Sequence, residues 1–213
     1  QLFLPEFTQP EQIKELSTPG AEESSPLFFN NGEEIYFYRT YLDGEGSSLK
    51  IKSEDIWYSK KRKNGWDAPY RLFRAGYIEG LATIIGTSED GSRIYLFVSK
   101  YFENSTERRL VYMDKTGKDK WSEMTDIQVE GFKFGERYYS FSMSSDAEYI
   151  LISMSPSDSL LEEDLYVSKR KSDNTYGEII DLGEKINTRK YEISPFLSED
   201  GKMLYFSSNG HGG

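Results

Sequence analysis

The stretch RIYLFV, Arg93 to Val98, is apolar on both of its faces. Ile94, Leu96 and Val98 point one way, and Tyr95 and Phe97 the other. A sheet with one wet face alternates apolar and polar residues, whereas a strand apolar on both faces lies between other sheets. No segment shows a convincing helical period, so the pattern predicts strands and almost no helix. The 16 Tyr and 13 Phe residues favour sheet in the same way.

The strands recur as hairpins. SPLFFNNGEEIYFY (Ser25 to Tyr38), TSEDGSRIYLFV (Thr87 to Val98), FSMSSDAEYILIS (Phe141 to Ser153) and SPFLSEDGKMLYF (Ser194 to Phe206) share one pattern. Ala147 stands in the third where the others have Gly32, Gly91 and Gly201. Each of the first three is followed by a second hairpin, at Ser53 to Phe73, Arg108 to Ile127 and Glu162 to Leu182. Their landmark aromatics Trp66, Trp121 and Tyr176 fall 55 residues apart. Asn64–Gly65 and Thr116–Gly117 supply hairpin turns.

A four-stranded unit of about 55 residues, apolar on both faces and repeated, predicts an all-β fold: a β-propeller of four-stranded antiparallel blades. The expected domain is one propeller portion over residues 1–213. It has a closing strand at about 12–17, blades at about 25–73, 81–128 and 138–183, and a partial blade at 191–213. About three and a half blades are then present. The last has two strands, and its third would lie beyond Gly213. Ile13 to Leu16, in QIKELSTPGAEESSP, reads as an outermost strand lent to the final blade, which would remove an exposed edge.

Charge narrows the partners. The net charge is −10, which argues against nucleic acid, whose binding needs clustered Lys and Arg. The chain has no cysteine, which excludes disulfides, thiol chemistry and cysteine-zinc sites. No apolar run is long enough to span a bilayer as a helix. The first residue is Gln1, and removal of a signal peptide is the expectation.

The residues Ser194, Pro195, Phe196, Asp200, Gly201, Leu204, Tyr205 and Phe206 are echoed by Ser25, Pro26, Phe28, Gly32, Ile35, Tyr36 and Phe37. They resemble the WD40-like propeller repeats of the TolB type. A narrower stretch, DLGEKINTRKYEI followed by SPFLSEDGKMLYFSSNGHGG, looks like the propeller segment of OmpA-family envelope proteins of the Bacteroidetes. That resemblance implies a periplasmic location at the outer membrane. It also implies protein partners in an outer-membrane complex, and contact with peptidoglycan only through a further domain absent from these residues. Blade three departs from the pattern at Ala147, and blade two lacks the Ser-Pro.

Candidate chemistry is sparse. His211 is the sole histidine and sits in a Gly-rich loop, poorly suited to hold a catalytic base in fixed geometry. Asp90–Gly91 and Asp200–Gly201 lack the spacing of a sialidase Asp box and read as turns. Glu162, Glu163 and Asp164 are consecutive and match no EF-hand loop. Lys60, Lys61, Arg62 and Lys63 sit on a hairpin turn, and the tryptophans Trp57, Trp66 and Trp121 read as packing anchors. No catalytic, cofactor or metal residue is assigned.

The insertions Tyr41 to Lys52 and Tyr101 to Arg109 break the repeat, and the segment Val129 to Tyr139 is rich in aromatics. Such loops carry most propeller contacts. Tyr101, Phe102, Phe132, Phe134 and Tyr138 are the candidate partner contacts. The expected function is a non-enzymatic periplasmic scaffold for protein–protein contacts. The alternatives are an accessory propeller of a hydrolase, or a periplasmic glycan- or peptide-binding module.

Overall fold

The computed structural model describes residues 9–44, 50–73, 78, 80–118, 120–135, 137–156 and 162–211. Residues 1–8, 45–49 of the first insertion, and 212–213 of the glycine-rich stretch lie outside the described residues. The described residues are all-β and contain no helix. Successive antiparallel sheets follow one another along the chain, as the blades of a β-propeller. The chain divides into two compact units, Gln1–Leu72 and Phe73–Gly213.

The first unit holds one sheet. Strands β1 (Ala21–Phe29), β2 (Glu34–Asp43) and β3 (Lys50–Arg62) run as an antiparallel meander. Two short pieces, β4 (Gly65–Trp66) and β5 (Tyr70–Arg71), both pair with β3. Alternation along β2 sends Ile35 and Phe37 to one face, where they pack with Leu16, Ile13, Trp57 and Trp66. The other face is an aromatic stack in which Phe29 lies 4.7 Å from Tyr36, and Tyr36 5.4 Å from Tyr58.

The second unit begins with β6 (Leu81–Thr87), β7 (Arg93–Phe102), β8 (Ser105–Gly117), β9 (Lys120–Trp121) and β10 (Thr125–Asp126). The next sheet holds β11 (Gln128–Val129), β12 (Tyr139–Met143), β13 (Tyr149–Met154), β14 (Asp164–Ser172), β15 (Thr175–Tyr176) and β16 (Ile180–Asp181). A hairpin of β17 (Glu192–Leu197) and β18 (Leu204–Ser208) follows. The innermost strands meet, with β12 packed against both β6 and β17. Tyr95, Leu110 and Tyr112 of one sheet bury against Phe141, Ile150 and Ile152 of the next. Arg93 spans the same pair of sheets. Its Nε lies 2.6 Å from Asp114, its Nη1 lies 2.7 Å from Asp173, and its guanidinium sits 3.9 Å above the Tyr112 ring.

The fourth strand of each full meander is broken into two pieces. In the first and third of these sheets a buried serine of the third strand holds the break open: Ser59 Oγ donates to the Asp67 carbonyl at 2.7 Å, and Ser168 Oγ donates to the Gly177 carbonyl. The segment β11 crosses to the next sheet and pairs parallel with β15.

The Ser-Pro pairs mark a built bulge. Ser25 and Ser194 have φ of 49° and 55°, and the register of each hairpin shifts there. Proline removes a donor at the next position, so the ladder skips it. Two residues before each serine stands a glutamate that gathers donors. Glu23 Oε1 accepts from the Thr18 N–H at 3.1 Å and from Arg39 Nε at 2.9 Å. Glu192 accepts from the Thr188 N–H and hydroxyl, each at 2.8 Å, and from Ser208 Oγ at 2.6 Å.

This equivalence corrects the expected closing strand. Residues 12–17 are not a strand: Lys14–Leu16 form a turn, with the Leu16 N–H donating to the Ile13 carbonyl at 3.1 Å. Thr18 and Thr188 both donate to that glutamate, five and four residues before it. Counted from these threonines, the turn at 14–16 matches the turn at 184–186 before β17, so Leu16 matches Ile186 and not a residue of the outer strand β16. Ile13 and Leu16 are three residues apart, which puts both side chains on the inner side of one turn. There they join the core of the first unit.

Candidate interaction surface

The β7–β8 hairpin is longer than the sheet that carries it. β6 pairs with β7 only as far as Leu81 opposite Ser99. Lys100, Tyr101 and Phe102 continue beyond that point, paired with Glu107, Thr106 and Ser105 around the turn at Glu103 and Asn104. Tyr101 is 63 % exposed and Phe102 is 49 % exposed. Lys100 Nζ lies 5.2 Å from the Phe102 ring, which braces the tip.

The segment 128–135 is fixed against the base of this hairpin. Arg108 of β8 donates from Nη1 to the Gly135 carbonyl at 2.8 Å, and the Gly135 N–H donates to the Tyr139 hydroxyl at 2.7 Å. Phe134 stacks on Phe97 at 5.7 Å and meets Phe132 edge-on at 5.0 Å. The structure therefore places Phe132 and Phe134 partly buried against the core, as anchors of the segment. Tyr138 points outward and is 73 % exposed. Arg108 lies opposite Ser99 across the ladder, so the segment and the hairpin tip share one end of the sheet.

Leu81, exposed and paired with Ser99, belongs to the same end. Sequence reading passed it over, because a leucine opening a strand looks like core. The signal was the adjacent Gly80, which starts β6 where its neighbour β7 runs on. The surface is thus three exposed aromatic rings and a leucine on a braced scaffold. It also carries charge: Arg109 is held above its ordinary range by its bond to Asp126 at 2.8 Å. Rings with few rotatable bonds and polar tips suit protein contact.

The remaining candidates are structural in their contacts. His211 Nε2 lies 2.7 Å from the Ile186 carbonyl, and its ring meets Phe206 edge-on. Each Ser-x-Asp turn closes on itself. Ser88 and Ser198 donate to Asp90 and Asp200 at 2.7 Å, and Ser144 donates to Asp146 at 2.6 Å. Hydrogen bonds from Ser92 hold Asp90 down to about 2, and those from Ser198 and Lys202 hold Asp200 at about 2. Lys60 pairs with Glu34 at 2.9 Å, Arg62 pairs with Asp67 at 2.9 Å, and Lys61 lies over Trp66. Burial works against ionisation of Glu34, but bonds from Tyr58, Lys60 and Asn30 keep it below its ordinary range. Trp121 is buried, and Trp57 lies 4.1 Å beneath the Arg39 guanidinium. Among the described residues no group of three His, Cys, Asp or Glu is placed to hold a metal ion. No helix among them is long and apolar enough to cross a membrane.

No family model matches the chain, and no curated protein matches it. Among solved structures it is similar to a prolyl endopeptidase from a study of two such enzymes, at 12% identity and a TM-score of 0.42, over 89% of this chain and 24% of that one. It is also similar to prolyl oligopeptidase B from Galerina marginata, at 16% identity and a TM-score of 0.41, over 89% of this chain and 25% of that one. A second structure of that enzyme gives 15% identity and a TM-score of 0.42. The chain spans about a quarter of the length of these proteins.

Proposed function

We propose that the chain is a non-enzymatic propeller scaffold that grips a protein partner through the end of the β7–β8 hairpin. Tyr101, Phe102 and Tyr138 are the contact residues, with Leu81 beside them. The observation that carries this reading is their exposure on a rigid support. The rings stand clear of the sheet while Arg108, Phe132 and Phe134 fix the segment beneath. Preformed aromatic contacts lose little conformational freedom on binding. The setting proposed is a periplasmic complex at the outer membrane, reached by resemblance to OmpA-family propellers, with peptidoglycan contacted only through a further domain.

A photo-crosslinking residue tests this when placed at Phe102 or Tyr138 in cells of the native source. Lys202, exposed on the turn between β17 and β18, is the control position. The expected result is one discrete adduct with an envelope protein from positions 102 and 138, and none from 202. No adduct, or equal adducts from all three positions, rejects the proposal.

A further inference from the structure

The start of β14 is crowded with carboxylates. Asp164 is its first residue, and its Oδ1 is buried with no hydrogen-bond partner among the described residues. Glu162 and Glu163 precede it, Asp181 approaches from β16, and Glu192 approaches from β17. The nearby cationic groups act on its neighbours: Arg137 faces Tyr166, and His211 faces Glu192.

Three of the other carboxylates have donors. Glu163 accepts from Ser153 Oγ at 2.9 Å, Glu192 has its three donors, and Asp181 accepts from the Gly183 N–H and from Asn187. This is also the seam between the third and fourth sheets. Glu163 and Tyr191 form a parallel bridge, the Glu192 N–H donates to the Glu163 carbonyl at 2.8 Å, and Asn187 bonds both the N–H and the carbonyl of Leu165.

We propose that Asp164 is a proton-operated latch on this seam, closing it when the carboxyl is neutral and loosening it when the carboxylate forms. An ionised oxygen buried without a donor, facing three further carboxylates, opposes the packing that a neutral acid accepts. Burial first, then Asp181, Glu162 and Glu192, push Asp164 up to about 6 from 3.8. The folded value is raised, so the folded seam binds the extra proton. Its stabilisation is full at low pH and is lost as pH rises through about 6. With an ordinary Asp in the opened seam, opening becomes about sevenfold more frequent between pH 5.2 and 7.2.

Amide hydrogen exchange of the 213-residue chain, corrected for intrinsic rates, reads this at Glu163, Leu165 and Glu192. The expected result is about sevenfold weaker protection at pH 7.2 than at 5.2, and protection independent of pH in Asp164→Asn. Equal protection at the two pH values in the native chain overturns the proposal, as does an unchanged dependence in Asp164→Asn. A carboxyl-carbon NMR titration needs no variant. A midpoint near 6 that falls in Asp181→Asn supports the latch, and a midpoint below 4.5 rejects it.

Discussion

Replacing Glu192 by glutamine tests how the hairpin β17–β18 is held in place. Glu192 has no exposed surface. Its carboxylate receives three donors and offers none, which suits an ion and not an amide. Glutamine keeps one acceptor oxygen but turns an NH2 group toward a hydroxyl or N–H that is itself donating. One buried donor then goes unmet, and the remaining bonds lose their charge assistance. Buried hydrogen bonds to charged groups contribute about 1.5–3 kcal/mol, and an unmet buried group costs about 1–3 kcal/mol. The expected loss is about 2–4 kcal/mol, because part of the network survives. For a chain of this size that lowers Tm by about 5–12 °C.

The sign of the pH effect follows from the same contacts. Burial alone would raise the Glu192 pKa, but bonds from Ser208 and Thr188 hold it below the usual 4.5. Its folded value is depressed, so its stabilisation is present above the unfolded pKa and disappears as pH falls through the folded one. Thermal unfolding of native and Glu192→Gln chains at pH 7 and pH 3.5 measures both effects. A Tm within 2 °C of native at pH 7 refutes the reasoning, as does a gap that fails to narrow on acidification.

Three further substitutions probe other joints of the fold. Gly86→Ala drives a methyl into Met143 Cβ where β6 meets β12, and overpacking there should cost about 1–3 kcal/mol by chemical denaturation. Gly201→Ala meets nothing within 4 Å but must hold φ near 68°, so a loss of about 1 kcal/mol, with unchanged hydrogen exchange outside the β17–β18 turn, is expected. Arg93→Met removes the paired carboxylate contacts and the Tyr112 stack between two sheets, and should lower stability by about 2–3 kcal/mol. A double-mutant cycle with Asp173→Ala should show coupling of about 0.5 kcal/mol or more, and additivity would remove the bridge from the account.

Much of the fold was legible because the repeat recurs in residues whose backbone roles are narrow. Asp-Gly marked turns whose glycines have positive φ, and Ser25 and Ser194 sit where a proline forces a bulge. Apolar residues on both strand faces signalled sheets stacked on sheets, as Tyr95 and Ile150 demonstrate. The closing strand misled because Ile13 and Leu16 satisfy a strand edge and a buried turn equally well. What decided between them was the distant pairing of Arg39 with Glu23 and with the Leu16 carbonyl, which no local pattern records. The broken fourth strands depend likewise on Ser59 and Ser168 reaching across a ladder. At the surface, aromatic composition could not separate Phe132 and Phe134, which anchor, from Tyr138, which is exposed. Inward and outward residues of a loop share no period.

The most direct test of the scaffold reading is co-purification after mild extraction from the native source, comparing the native protein with a Tyr101→Ser, Phe102→Ser, Tyr138→Ser variant. The account predicts that the native protein carries a stoichiometric protein partner. It predicts that the variant, with an unchanged melting temperature, retains at least about tenfold less, as expected for loss of aromatic hot spots worth about 2 kcal/mol or more. Equal retention by native and variant proteins would contradict it.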